Sequence, residues 1–200
     1  MPSSAVRTVA VPTEIALFPL GTVLFPGGLL PLRIFETRYI DMVSRCMRQN
    51  ETFGVVLIKD GSETSSTVDT AAIGTTARII DFQTLGDGLL GLLCRGEARF
   101  RIEQRSRQSD GLNRASIEWS PDPTAVPVDP KYEPLVSMLR EALSQLSNLS
   151  RFIEPRYEDA TWVSYRLAEQ LPLPVNLQQK LLEMNEPNER LELLAPLIEP

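Results

Sequence analysis

The side chains able to do chemistry are few, and their types narrow the options. The 200-residue chain contains no histidine. That removes histidine triads, imidazole acid–base catalysis and most zinc sites. Cys46 and Cys94 lie far apart in sequence, each among apolar residues. They read as buried free thiols rather than a disulfide, and without histidine they do not make an ordinary structural zinc site. Asp81, Asp87, Glu97, Glu103 and Asp110 could supply a pair of carboxylates for general acid–base work. Nothing in their spacing singles out two of them, and acidic residues in turns and on wet faces are the default. No phosphate loop of the form G-x-x-x-x-G-K-[ST] occurs. No catalytic residue, metal or cofactor is therefore assigned.

Binding residues are easier to find. The stretch Ile15 to Tyr39, IALFPLGTVLFPGGLLPLRIFETRY, is apolar, punctuated by proline and glycine, and ends in a cluster of charge. Phe18, Phe25, Phe35 and Tyr39 could line a groove for apolar polypeptide segments, with Arg33, Glu36 and Arg38 as an outward charged rim. The bland alternative is ordinary aromatic core, with an ion pair at a helix start. A second set, Arg95, Arg99, Arg101, Arg105, Arg107 and Arg114, is the main basic concentration. Glu97 and Glu103 interrupt it, and the chain carries a net charge of −6. Both facts favour a solvated strand face over a nucleic-acid site.

The elements that must position these residues follow from periodicity. Ile15–Phe18 and Val23–Phe25 read as short strands closed by Pro19 and Pro26, and Pro26-Gly27-Gly28 as a turn, so the stretch is expected to be a buried hairpin. Thr37 to Met47 has apolar spacing for an amphipathic helix, with Glu36 placed to accept from its free N–H groups. Strands are expected at Thr52–Lys59, Ile73–Leu85, Leu89–Arg107 and Asn113–Trp119. The polar run Asp60 to Ala72 is expected to be a mobile loop, and Gly86-Asp87-Gly88 a hairpin turn. Within Leu89–Arg107, the even positions Leu90 to Ile102 should face a core, the odd positions water, and Gly96 should mark a bend. After a proline-rich crossing at Ser120–Pro130, helices are expected at Pro130–Leu149, Glu158–Leu171, Val175–Met184 and from Pro187.

Composition fits a soluble globular chain, 42% hydrophobic and 23% charged. No apolar run approaches the ~20 residues of a membrane span, and no signal peptide is visible, so a cytoplasmic protein is expected.

In order, ALFPLGTVLFPGGLLPLRIFETRY, FGVVLI, IGTTARI, DGLLGLLCRGEARFRI and a helical tail with LLEMNEPNERLELL resemble the N-terminal substrate-recognition domain of the Lon protease family. They look closest to small bacterial proteins made of that domain alone. The resemblance implies an α+β fold: a PUA-like β pseudobarrel with one inserted helix, then a C-terminal α-helical bundle. With the proline-rich crossing as the boundary, the chain is expected to divide into a flexible tail (1–13), a barrel subdomain (14–127) and a helical subdomain (128–200). It carries recognition and not proteolysis, because Lys59, Lys131 and Lys180 stand in no Lon-like catalytic context. The expected function is a non-enzymatic module in protein quality control that binds unfolded or partly folded polypeptide, or a protein partner. Phe25, Arg33, Phe35, Glu36, Arg38 and Tyr39 are the peptide-binding candidates. PUA-like barrels elsewhere bind RNA, so RNA or nucleotide binding through Arg95, Arg99 and Arg101 is the alternative.

Overall fold

A computed structural model describes residues 14–60, 69–145 and 150–198. They form a mixed α/β structure with one large, mostly antiparallel sheet and five α-helices. The strands are β1 (Glu14–Leu20), β2 (Leu29–Ile34), β3 (Phe53–Asp60), β4 (Asp69–Thr70), β5 (Ile73–Thr84), β6 (Leu90–Arg107) and β7 (Asn113–Ser120). Helix α1 (Thr37–Gln49) lies between β2 and β3. Helices α2 (Glu133–Ser144), α3 (Ala160–Gln170), α4 (Val175–Glu183) and α5 (Pro187–Leu194) follow the strands.

Strand β1 pairs antiparallel with β7 and parallel with β3, so the path β1-β7-β6-β5-β3 returns to β1. Ile15, Leu17, Val56, Phe100, Ala115 and Ile117 pack together inside this ring. The space is small enough that two strand positions must be glycine. A Cβ on Gly54 would lie 2.6 Å from the Phe100 ring, and one on Gly74 would lie 2.4 Å from the Val55 carbonyl oxygen. On the other face, Phe18, Phe53, Val55, Leu92 and Cys94 pack under Tyr39, Met42, Val43 and Cys46 of α1. The third core joins α2 to α5 with Phe25 and Ile73.

The opening stretch is not a hairpin. β1 and β2 do not pair with each other; β2 pairs with β6. Val23–Phe25 is irregular backbone rather than strand, because its side chains serve two cores: Leu24 packs under α1 and Phe25 packs among the helices. The turn after it is pinned to β6: the Gly27 N–H donates to the Gly96 carbonyl (2.8 Å), and the Gly96 N–H donates to the Gly28 carbonyl (2.9 Å). Gly27 has φ +75°, and a Cβ on Gly96 would sit 2.2 Å from the Phe25 oxygen. Pro19 does not end β1. It lies beyond Leu17, the last β1 residue paired with β7, in the part that runs beside β3.

Strand β6 departs from strict alternation. Its register with β5 moves from Thr75↔Arg99 to Ala77↔Gly96, which places an extra β6 residue in a bulge. The bulge reverses which parity faces which core: Leu92 and Cys94 lie under α1, whereas Phe100 lies inside the ring. The odd face is not uniformly wet either, because helices cover its middle, and Arg99 is only 1% exposed. The Arg99 guanidinium donates to the Leu182 (2.9 Å) and Met184 (3.2 Å) carbonyls and to Asn185 Oδ1 (3.1 Å). Its Nε lies 3.0 Å from Asp122 Oδ1. Leu182 and Met184 are at the C-terminus of α4, where free carbonyls favour a cation.

Smaller differences have local causes. Glu36 occupies the N-cap of α1, but its side chain makes no cap bond and pairs with Arg38 instead. Two residues of the expected Asp60–Ala72 loop form β4, which pairs with β3; its residues 61–68 lie outside the described residues, as do 1–13. Helix α2 ends at Ser144, and Leu146 and Leu149 lie outside the described residues. The two cysteines are free and buried, and they belong to one core. Burial pushes the Cys94 thiol up to about 12, with the neighbouring Cys46 adding to the rise.

Arg99→Ala is expected to lower unfolding free energy by roughly 3 kcal/mol, read by urea denaturation, because it removes the donor to the Leu182 carbonyl and to Asn185 Oδ1, and the cation facing Asp122, at the seam. Glu169 supplies a pH test. Burial raises its carboxyl from 4.5 to about 7, although Arg166, 2.9 Å away, pulls the other way. Between these values the folded chain holds a proton that the unfolded chain has released. Stability from this group is therefore full below about pH 4.5 and is lost as pH rises to about 7. Relative to Glu169→Gln, the native chain should lose on the order of 2 kcal/mol between mildly acidic and mildly alkaline buffer.

Candidate functional site

Beyond the ring, β2, the first half of β6 and the second half of β5 form a three-stranded arm. Leu29–Ile34 pairs with Arg95–Leu90, and Ile79–Thr84 pairs along the other side of the same β6 residues. The Gly86-Asp87-Gly88 turn closes the arm, with Gly88 at φ +82° and the Leu85 N–H bonded to the Leu89 carbonyl at 2.8 Å. One face of the arm carries a groove of ≈ 790 Å³. Its apolar lining includes Pro31, Phe82, Leu85, Leu93 and Phe152. Two oppositely charged pairs edge it: Arg33 with Asp87, and Arg151 with Asp81 at 3.9 Å. Gly91 lies in the floor because a Cβ there would meet Leu85 at 2.8 Å.

The far wall comes from the 3₁₀ turn Ser150–Phe152. Arg95 holds it by donating to the Phe152 carbonyl at 2.8 Å, and the Arg151 guanidinium lies 4.6 Å from the Phe152 ring centroid. A second hollow of ≈ 410 Å³ adjoins β2 and shares Pro31, Leu32 and Arg33 with the first. Phe35 and Glu36 lie on it, and Phe35 is 60% exposed.

The structure separates the six peptide candidates. Arg33, Phe35 and Glu36 lie at these hollows. Phe25 does not; it is 1% exposed, with its ring 5.4 Å from that of Tyr165 in the helical core. Tyr39 touches the smaller hollow but is buried, stacked on Phe18 with ring centroids 4.0 Å apart. Arg38 is not an outward rim residue. Its guanidinium pairs with Glu36 (2.7 Å), donates to the Gly111 carbonyl (3.0 Å) and covers the Tyr39 ring.

The arginine strip is largely committed within the fold. Arg99 is buried at the seam and Arg95 holds the Phe152 wall. Arg105 bonds Thr70, Arg107 bonds the Gly111 carbonyl, and Arg114 pairs with Glu14. Arg101 is exposed. Of the acidic candidates, Asp81, Asp87 and Glu97 each have an arginine partner, and Asp110 caps the turn at Leu112. Among the described residues no cluster of acids and cysteines is built to hold a metal ion, and no helix is long and apolar enough to cross a membrane.

Sequence reasoning missed Phe82, Leu85, Leu93 and Phe152. Two had a visible signal. Leu93 is the apolar exception in the parity assigned to water, and Phe82 stands between Asp81 and Gln83 beside a tight turn. Phe152 had none, because only the folded chain brings it to β6.

The fold belongs to a class of protein defined by a substrate-binding domain. Residues 14–199 match the model of the ATP-dependent protease La (LON) substrate-binding domain, and the chain belongs to that family. A Lon N-terminal domain protein from Xanthomonas campestris superposes with a TM-score of 0.77 at 37% identity, covering 94% of this chain and 99% of that one. The N-terminal domain of Lon from the Mycobacterium avium complex shares the fold, with TM-score 0.61 and 16% identity over 90% of this chain and 95% of that one. The Lon protease of Escherichia coli is 28% identical over 198 residues, 93% of this chain. That of Amoebophilus asiaticus is 29% identical over 176 residues, 84% of this chain. The chain spans only 24% and 21% of those two proteins.

Core and groove aromatics should separate on mutation. Phe25→Ala should cost about 3–5 kcal/mol in thermal or urea unfolding. Phe82→Ser, at a position 58% exposed, should change stability by no more than about 0.5 kcal/mol.

Proposed function

We infer that the protein is a non-enzymatic recognition module that binds unfolded or partly folded polypeptide segments, acting in cytoplasmic protein quality control. The observation that supports this most is the arm groove. It has an apolar floor, walls from four separate chain segments and a rim of compensating charges. Such a surface suits an apolar segment, whose burial supplies the driving force while the rim leaves backbone and flanking groups wetted. The Lon proteases that match do so over this one domain. In this reading residues 14–127 form a PUA-like barrel unit with α1 inserted, and 128–200 form a helical unit that supplies the Phe152 wall. The intramolecular partners of the arginine strip weigh against RNA as the ligand.

The test is fluorescence polarisation with a labelled, permanently unfolded protein. Leu93 is half-buried in the groove floor, so Leu93→Asp is expected to weaken binding at least tenfold, about 1.4 kcal/mol, with the far-ultraviolet circular dichroism unchanged. Binding that is absent in the native chain, or unaltered in the variant, overturns the reading.

A further inference from the structure

The arm has two outer edges, and they differ. The edge on β2 carries Pro31, which has no N–H to offer. The edge on β5 carries no proline. β5 pairs with β3 at Thr75, Thr76 and Ala77 and then leaves it, while its pairing with β6 continues to Thr84↔Leu90. Beyond Ala77 no strand among the described residues pairs with its other side.

Bonds at the turn fix which main-chain groups face that open side. The Leu85 N–H donates to the Leu89 carbonyl (2.8 Å), and the Leu85 carbonyl accepts from the Gly88 N–H (2.9 Å), so both Leu85 groups face the returning chain. Orientation alternates along an antiparallel pair. Gln83 therefore faces β6, and the N–H and carbonyl groups of Phe82 and Thr84 point outward. A separate bond agrees: the Phe82 N–H donates not to β6 but to Asp81 Oδ1, at 2.9 Å. The Phe82 carbonyl and both Thr84 main-chain groups have no bonded partner among the described residues. An edge with open donors and acceptors is a template for another extended chain.

The side chains around this edge suit an added strand, which directs alternate residues to the two faces of a sheet. On one face lies the arm groove, which Asp81, Phe82 and Gln83 help to line. On the α1 face, a hollow of ≈ 210 Å³ is lined by Met47, Ile79 and Phe82. Met47 and Phe82 are both exposed. The edge is less suited to a folded partner. Ile80 is an extra residue on β5, because the register moves from Ile79↔Cys94 to Asp81↔Leu93. A bulge and a carboxylate hinder pairing with a second rigid edge of the same kind, whereas flexible main chain can follow the bend.

We propose that the outward edge of β5 at Phe82 and Thr84 captures an extended segment of unfolded polypeptide as an added strand. The proposal rests on the peptide-binding reading above and gives it a main-chain component. Bonds to the backbone are indifferent to side-chain identity, so this edge supplies affinity common to unfolded chains. The groove beside it supplies choice by apolar content.

Two measurements test this, with the labelled unfolded protein as probe. The first is residue-resolved amide exchange on the native chain. The Thr84 N–H, unbonded in the free chain, should exchange about tenfold more slowly when the probe saturates it. The second is Thr84→Pro, which removes an outward N–H and no bond to β6. It should weaken binding about fivefold, with circular dichroism and the urea midpoint unchanged. Unaltered Thr84 exchange in the saturated chain overturns strand addition, whether or not the proline variant folds. Native affinity in a folded Thr84→Pro does the same, and loss of binding in Leu93→Asp then leaves the peptide-binding reading standing. Thr84 already protected before the probe is added, with dimers in sedimentation, assigns the edge to a second copy and overturns the proposal. No binding by the native chain overturns both readings.

Discussion

A guanidinium with almost no access to water holds the two halves of this molecule together. Arg99 leaves the β6 ladder on the face covered by helices and finds Asp122, Asn185 and the last carbonyls of α4. An arginine in that position would be strongly unfavourable without those partners, so strand and helix ends cannot drift apart independently. Arg190 reinforces the seam by donating to the same Met184 carbonyl and covering the Tyr165 ring. Arg166 ties α3 to the Pro26 carbonyl (2.8 Å). Three buried arginines on strands and helices thus fix how the strands meet the helices. The groove depends on that fixed relation, since one wall comes from the arm and the other from the turn at Phe152.

Much of the fold could be read from residue pattern because its elements are locally consistent. The 3.6-residue spacing in α1, the Gly-Asp-Gly turn and the β-branched run of β3 each point to one conformation. The parts that were not legible depend on events far away in sequence. The bulge between Gly96 and Arg99 begins where the Phe25 oxygen leaves no room for a side chain at position 96, and no local count reveals that neighbour. Leu24 and Phe25 look like consecutive members of a strand, but each is drawn into a different core.

The site was half legible for the same reason. An abrupt charged end to an apolar run located Arg33, Phe35 and Glu36 near open surface. It could not separate Phe35 from Phe25, because aromatic type is the same in a core and in a groove, and only packing tells them apart. Arg95 is instructive. As one of six arginines it looked like part of a charged face; in the fold its single bond to Phe152 shapes the far wall of the groove.

β2 is the outer strand of the arm, paired on one side with β6, and Pro31 sits in its middle. An open strand edge would let copies of a chain associate by adding strands to the sheet. Proline removes a donor from that edge, and the charged Arg33 follows two positions on. The arm groove therefore has an apolar floor next to a border that resists sheet extension. The face beside it can stay apolar without the neighbouring strand offering a template for a further strand.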